Sequence, residues 1–227
     1  AKEWPQTGAV RRKRGKGAAR SAARRAPAPP AQLAQAGKLR DVVIAIGAST
    51  GGVEALFALV AALPPDCPPV LVVQHMPAAF TNGFAVRMDR DSRVKVVEAE
   101  HGMTLQRGTV YIAPGGERHM EVVGGSGGGT RLLPGDPVTG HRPSVDMLFH
   151  SVAPLGSRGV GVILTGMGSD GAAGLRAMRD AGARTLGQSR ESCVVYGMPR
   201  AAMEAGAVEA EVTLSAMPEA ILGLCRL

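Results

Sequence analysis

The chain has 227 residues, a length that suits one domain or a small pair of domains. Hydrophobic residues make up 45% of it and aromatic residues only 3%, so it can build a core but has few rings for the stacking platforms that bind single-stranded nucleic acid. Residues 1–37 hold nine Lys or Arg and one Glu, so the formal net charge of +7 leaves −1 for the remaining residues. The basic overall charge therefore does not describe the part of the chain that folds.

The cysteines and the apolar runs indicate the cellular compartment in which the protein is expected. Cys67, Cys193 and Cys225 are odd in number, far apart and without a CxxC spacing, which predicts a reducing cytoplasm and neither a disulfide framework nor a zinc ribbon. We find no apolar run that could span a bilayer and no secretory leader, so we expect no membrane insertion. Because the chain begins at Ala1 rather than Met, we expect it to be a processed or excised piece of a longer protein.

Residues 1–37 are rich in Arg, Ala, Pro and Gly and show no hydrophobic period. This composition predicts a solvated, disordered linker or tail. An arm that binds nucleic acid is the alternative, because clustered Arg and Lys release counterions from phosphates. A transit peptide would fit the Arg and Ser content but not an internal, Pro-rich segment.

From Asp41 onward, short apolar runs alternate with segments of helical spacing. The first strand is predicted at residues 42–46, followed by a Gly-rich turn at 47–52 and an apolar helical pattern to Leu63. The later predicted units are strands at 70–73 and 94–97 with a helix around 80–88 between them, a strand at 160–164 with a helix at 172–181, a strand at 183–186, and one more unit towards the C-terminus. In the middle, residues 111–112 and 119–123 flank turns, and the Gly-rich stretch 124–129 resembles a hairpin loop.

This alternation predicts an α/β domain over residues 38–227. Its sheet is expected to be doubly wound, mainly parallel and flanked by helices, with a small β-hairpin excursion. Ligands of such sheets bind beyond the carboxyl ends of the strands, so residues that follow strands are the candidates for function.

The first candidate is Ser49, in a G-x-S-x-G sequence between a strand and a helix. Small neighbours allow a tight turn that projects the serine hydroxyl, and N–H groups at the following helix start can stabilise an oxyanion. A phosphate-binding turn or a plain Gly-rich connection is the alternative. A dinucleotide-binding turn is disfavoured, because G-x-G-x-x-G is absent and the second strand ends in Gln74-His75 rather than an acidic residue.

His75 and Asp170 follow two other predicted strands. The imidazole of His75 could serve as a general base for Ser49, and the carboxylate of Asp170 could orient that imidazole. Alternatively, His75 is a structural histidine and Asp170 caps the next helix. The chain order Ser, His, Asp differs from that of α/β-hydrolases, but triads are defined by roles rather than by order.

Two competing sites remain open. If a helix starts after Ser144 as its N-cap, Asp146 and His150 lie four residues apart on one face and could share a metal ion, although the sequence offers no third ligand at a fixed spacing. Cys193 could be a nucleophile, but its apolar neighbours are typical of an inert buried thiol.

Five segments together resemble one family, the bacterial chemotaxis protein-glutamate methylesterases of the CheB type. The segments are IGASTGG at 46–52, QHMP at 74–77, HRPSVD at 141–146, LTGMGSDG at 164–171 and SCVVYGMP at 192–199. The resemblance covers about residues 41–222 in order, and no single segment would carry it alone.

The resemblance implies hydrolysis of glutamate γ-methyl esters on the cytoplasmic helices of chemoreceptors, and deamidation of receptor glutamines. It implies Ser49 as nucleophile, His75 as general base and acid, and Asp170 as the orienting carboxylate. It places the Met167 backbone at the oxyanion site with Thr50 beside the serine, and it implies no metal and no organic cofactor.

The chain departs from the family at its N-terminus. Members of the family carry a phosphorylatable receiver domain that covers the active site, whereas the basic segment 1–37 stands where the interdomain linker is expected. We therefore interpret the chain as a linker and a catalytic domain that is active without a phosphoryl donor. The alternatives are a serine hydrolase of another ester or amide, and a non-catalytic protein that binds nucleic acid or an acidic partner through the tail.

Overall fold

The computed structural model describes residues 39–124 and 127–226. Its strands are β1 (Val43–Ala48), β2 (Val70–Gln74), β3 (Lys95–Glu98), β4 (Thr109–Ile112), β5 (Arg118–Val123), β6 (Gly129–Pro134), β7 (Gly159–Ile163), β8 (Arg184–Gln188) and β9 (Ala210–Val212). Its helices are α1 (Gly52–Ala62), α2 (Ala78–Asp91), α3 (Val145–Val152), α4 (Ala172–Asp180), α5 (Met198–Glu204) and α6 (Met217–Leu224). The predicted segment 1–37 lies outside the described residues, as do two residues of the predicted hairpin loop, 125–126.

Seven strands form a parallel sheet in the order β3-β4-β2-β1-β7-β8-β9. The predicted doubly wound α/β fold is confirmed, with strand and helix limits displaced by at most three residues. Residues 111–112, which were predicted only to flank a turn, belong to β4, which lies between β2 and β3. A short apolar run between turns does not reveal its partner strands, and residues 99–108, which connect β3 to β4, form no helix that would mark a crossover.

The sheet is buried on both faces by the alternating side chains of its strands. In β1, Ile44 and Ile46 pack with α1, α2 and α6, whereas Val43 and Ala45 pack with α3, α4 and α5 on the opposite face. Because both faces are apolar, the strand appears in sequence as a continuous hydrophobic run.

The second sheet is the predicted hairpin, in which β5 and β6 pair antiparallel. It is joined to α3 by a hydrogen bond from the Val122 N–H to Ser151 Oγ (2.9 Å). It follows the carboxyl end of β4 in the chain and precedes the segment that leads into α3.

The chain reverses its direction across the sheet at β1. Strand β1 pairs with β2 on one side and with β7 on the other, so the loops after β1 and β7 diverge to opposite faces. This is the switch point at which open α/β sheets form a crevice beyond the carboxyl ends of their strands. Ser49, His75 and Asp170 all follow strands that meet at this edge.

Among the described residues, no helix has the length and apolar character needed to cross a membrane.

Candidate active site

Ser49 occupies a tight turn between β1 and α1. Its N–H donates to the carbonyl of Thr165 (3.0 Å), and its own carbonyl accepts from the N–H of Gly52 (2.8 Å). Gly51, the residue before α1, has a φ of +81°, a left-handed conformation that favours glycine. The turn leaves Ser49 half-buried and Thr50 exposed.

Two glycines allow other chain segments to approach this turn closely. A Cβ on Gly166 would lie 2.8 Å from the Cβ of Ser49, and a Cβ on Gly52 would overlap the side-chain oxygen of Gln74. Both glycines are therefore required by packing around the serine rather than by loop flexibility.

The backbone of His75 is fixed against the serine turn. Its N–H donates to the carbonyl of Ala48 (3.0 Å), which extends the parallel pairing of β1 and β2 by one step. The buried Gln74 amide donates to the carbonyls of Ser49 (2.9 Å) and His75 (3.0 Å). One side chain thus connects the two strand ends that carry the candidate nucleophile and base.

Asp170 is fully buried and accepts four hydrogen bonds. Its Oδ2 accepts from His75 Nε2 (2.7 Å) and from the N–H of Val145 (2.7 Å). Its Oδ1 accepts from Ser144 Oγ (2.7 Å) and from the N–H of Asp146 (3.0 Å). The carboxylate therefore occupies the N-terminus of α3, where free N–H groups and the helix dipole favour an anion.

The net effect of this environment is to lower the pKa of Asp170. Burial acts to raise the pKa, but the hydrogen bonds from His75, Ser144 and the two backbone N–H groups together hold it below its usual range. The side chain is thus an anion at neutral pH, as an orienting carboxylate must be. The alternative expectation, that Asp170 caps the helix it precedes, is not what the structure shows: α4 has Gly171 as its N-cap, without a side-chain hydrogen bond.

The contact with Asp170 also defines the tautomer of His75. An ionised carboxylate only accepts hydrogen bonds, so Nε2 carries the proton and Nδ1 holds the free lone pair in the neutral ring. Nδ1 is buried and has no hydrogen-bond partner within residues 39–124 and 127–226. In the same residues no hydrogen bond joins Ser49 Oγ to His75, a bond that is often long or misaligned in unliganded enzymes and shortens on substrate binding.

Met167 and Thr50 lie next to the serine turn. Met167 is 65% exposed, and Gly166, the residue before it, packs against Ser49. Within the described part of the chain, neither the Met167 N–H nor the Thr50 N–H donates to a protein acceptor. Both N–H groups are therefore free to bind an anionic oxygen.

Neither of the two competing sites is arranged for the chemistry considered for it. Ser144 is the N-cap of α3, as predicted, but the buried Asp146 carboxylate accepts from the N–H of Gly174 (2.7 Å) and the hydroxyl of Thr139 (3.3 Å). No group of three or more His, Cys, Asp or Glu side chains suited to a metal ion occurs among the residues described. Burial raises the pKa of the Cys193 thiol to about 11, so this thiol is not a reactive thiolate at neutral pH.

Three contributors to the site were not predicted in these roles. Gln74 bridges the two strand ends, Ser144 donates to Asp170, and His141 stacks on the ring of His75. All three lie in the segments quoted for the resemblance, but the spacing of one segment cannot show which other segment it contacts. The position of Gln74 directly before His75 was the only signal in the sequence.

Comparisons with known proteins agree with this architecture. A family model for CheB methylesterase matches residues 44–221. The protein-glutamate methylesterase/protein-glutamine glutaminase 1 of Caulobacter vibrioides is 60% identical over 183 residues, which are 80% of this chain and 53% of that protein. The protein-glutamate methylesterase/protein-glutamine glutaminase of Rhizobium etli is 56% identical over 200 residues, 88% of this chain and 57% of that protein.

The solved structure of the Thermotoga maritima CheB methylesterase catalytic domain superposes with a TM-score of 0.78 at 36% identity. The match covers 82% of this chain and all of that domain. The chain spans about half the length of the curated relatives it matches. On the family model and these relatives, the chain belongs to the CheB methylesterase family.

Proposed function

We propose that this chain hydrolyses glutamate γ-methyl esters on the cytoplasmic helices of chemoreceptors and releases methanol. The observation that carries the proposal is the 2.7 Å contact between His75 and the buried Asp170, at the edge of the sheet where Ser49 follows β1. The names of the relatives supply the substrate class, protein glutamate esters, and a second activity on protein glutamine.

Acylation of Ser49 is the first step of the proposed reaction. Ser49 Oγ attacks the ester carbonyl while Nδ1 of His75 takes the hydroxyl proton. The new imidazolium keeps its Nε2–H on Asp170, whose negative charge stabilises it. The oxyanion of the tetrahedral intermediate lies against the free N–H groups of Met167 and Thr50.

Collapse of the intermediate breaks the ester C–O bond. Methoxide leaves, takes the proton from Nδ1 of His75 and departs as methanol, and a glutamyl ester of Ser49 remains. Water then attacks this acyl-enzyme with the same histidine as base, which restores the serine and leaves a glutamate carboxylate. With glutamine as substrate, the same steps release ammonia in place of methanol.

The proposed roles need no organic cofactor and no metal ion from the protein, since every proton has a named donor and acceptor. We further propose that residues 38–227 are the catalytic domain and that residues 1–37 act as a linker. The 227-residue chain should then turn over without a phosphoryl donor such as acetyl phosphate.

The test is methanol release from a methylated chemoreceptor, measured in the presence of a chelator. Ser49→Ala should reduce the rate by about 10⁶-fold, to below detection, because it removes the nucleophile. The matched control is Ser157→Ala, an exposed serine at the opposite edge of the sheet, just before β7, and it should match wild type.

Methanol release by Ser49→Ala at the wild-type rate would disprove the assignment of the nucleophile. A wild-type protein that reacts with a serine-directed probe but releases no methanol from any methylated receptor would instead disprove the substrate.

A further inference from the structure

The ring of His75 is covered on one face by a second imidazole. His141 lies parallel to it, with ring centroids 3.7 Å apart and an interplanar angle of 9°. Face-to-face contact at this separation is van der Waals contact over the whole ring, so neither ring can tilt without moving the other.

His141 is held in place by a tight turn between β6 and α3. Val138 and His141 exchange backbone hydrogen bonds of 3.0 and 2.9 Å. The two residues between them, Thr139 and Gly140, have φ values of +51° and +78°. For threonine this is an uncommon conformation, which persists where the surrounding structure determines it. The hydroxyl of Thr139 bonds to the buried carboxylate of Asp146 in α3 (3.3 Å).

The stack supplies a restraint that the hydrogen bond to Asp170 cannot. Attachment at Cβ and the bond from Nε2 fix the His75 ring at two points, and rotation about the line through those points remains free. That rotation swings Nδ1 towards or away from Ser49. A flat surface against one ring face stops it.

We propose that His141 is a positioning residue, whose ring fixes the plane of His75 so that Nδ1 is aimed at the hydroxyl of Ser49. This inference rests on the proposed function, in which His75 is the general base. His141 itself contacts no reacting atom in this scheme.

The charge state of His141 suits the role. Burial lowers the pKa of His141, and the neighbouring His75 lowers it further, while Asp170 acts in the opposite direction. The adjacent Arg142 directs its guanidinium to two backbone carbonyls, at 2.8 and 2.5 Å. A neutral His141 ring does not repel the imidazolium that forms on His75 during acylation. A second cation at this distance would destabilise that imidazolium by charge repulsion.

The first measurement uses three variants and a probe that needs no receptor. The variants are His141→Phe, which keeps a flat ring, His141→Leu, which keeps apolar bulk without one, and His141→Ala. The probe is a fluorophosphonate: Ser49 Oγ bonds to phosphorus, the P–F bond breaks, fluoride leaves, and the serine proton passes to Nδ1 of His75. The labelling rate therefore reports serine and histidine alignment without any receptor interaction.

We expect His141→Ala and His141→Leu to slow labelling by about tenfold to a hundredfold, the cost of misplacing a reacting group, and His141→Phe to stay within about threefold of wild type. With a methylated receptor as substrate, the losses should appear in kcat and not in KM. Thermal unfolding of each variant shows whether stability has changed. If His141→Ala does not fold, the labelling rates of His141→Phe and His141→Leu are compared with each other and with wild type.

The second measurement follows the His75 ring directly by proton NMR. The Nε2–H donated to Asp170 should give a sharp low-field signal in wild type and in His141→Phe, and a broadened or missing one in His141→Leu. This signal tests the positioning even if Ser49 is not the nucleophile and labelling fails in every protein. Equal labelling by the Leu and wild-type proteins, a Phe variant as slow as Leu at equal stability, or an unchanged NMR signal in Leu would each overturn the proposal.

Discussion

Two buried aspartates, Asp146 and Asp170, lie near the N-termini of the packed helices α3 and α4 respectively, but have different partners. Asp170 lies two residues before α4 and accepts N–H groups from the first turn of α3. Asp146 lies in the first turn of α3 and accepts the N–H of Gly174, in the first turn of α4 (2.7 Å). Each carboxylate thus stabilises the N-terminus of the other helix, where an anion is favoured.

The two carboxylates differ in the side chains that donate hydrogen bonds to them. Asp146 accepts from the hydroxyl of Thr139, a neutral donor, whereas Asp170 accepts from the imidazole of His75. Burial and a helix N-terminus are common to both, so neither feature explains a catalytic role. The contact with a titratable ring beside the serine turn makes Asp170 the candidate, and Asp146 serves as its structural counterpart.

The largest effect should come from Asp170→Asn. Asparagine presents an NH₂ group to Nε2 of His75, so the imidazole adopts the other tautomer. Nδ1 then carries a proton and can no longer accept one from Ser49. We expect kcat for methanol release to fall by about 10⁴-fold, the cost of the wrong tautomer in a serine triad. The free energy of unfolding should fall by about 1–3 kcal/mol, because buried N–H groups lose a charged acceptor. Retention of kcat within tenfold would show that Asp170 is structural, like Asp146.

Ser144→Ala should have a smaller effect on the same carboxylate. It removes the hydroxyl donor to Asp170 Oδ1 and the N-cap acceptor for Met147 N, while the bond from His75 to Oδ2 stays. We expect a loss of about 0.5–2 kcal/mol in unfolding free energy and less than about tenfold in kcat. The matched control is Ser151→Ala on the same helix, whose hydroxyl bonds to the backbones of Leu148 and Val122. It should lose stability without losing kcat; an equal loss of kcat in both variants would mean that the rate follows helix stability alone.

The candidate site residues could be predicted from the sequence, whereas the contacts between distant segments could not, for a physical reason. Strand-end positions of Ser49, His75 and Asp170 follow from hydrophobic runs that end in Gly-rich or polar residues. The capping of α3 by Asp170 could not be predicted, because it joins residues 24 to 26 positions apart that no periodic pattern relates. The position of β4 between β2 and β3 was missed for the same reason, since pairing depends on contacts distant in sequence.

Asp146→Asn should leave catalysis unchanged. The amide oxygen can still accept from the N–H of Gly174, and the NH₂ group can donate to the hydroxyl of Thr139. We expect kcat within about threefold of wild type and a loss of about 1 kcal/mol in the free energy of unfolding. The measurement is urea unfolding beside methanol release. A fall in kcat as large as that of Asp170→Asn would remove the distinction between the two carboxylates.

The smallest effect is a difference in how acid unfolds the wild type and Asp170→Asn. Because the pKa of Asp170 is lowered in the folded protein, its charge stabilises the fold above the unfolded-state pKa of about 3.9, and this stabilisation is lost as the pH falls through the lower folded value. Wild type should therefore lose more unfolding free energy than Asp170→Asn between about pH 5 and pH 2, and the two curves should converge at the acid end. Urea unfolding at a series of pH values measures this. Curves that stay parallel would mean that the four donors, His75 among them, do not hold the Asp170 carboxylate as an anion in the folded protein.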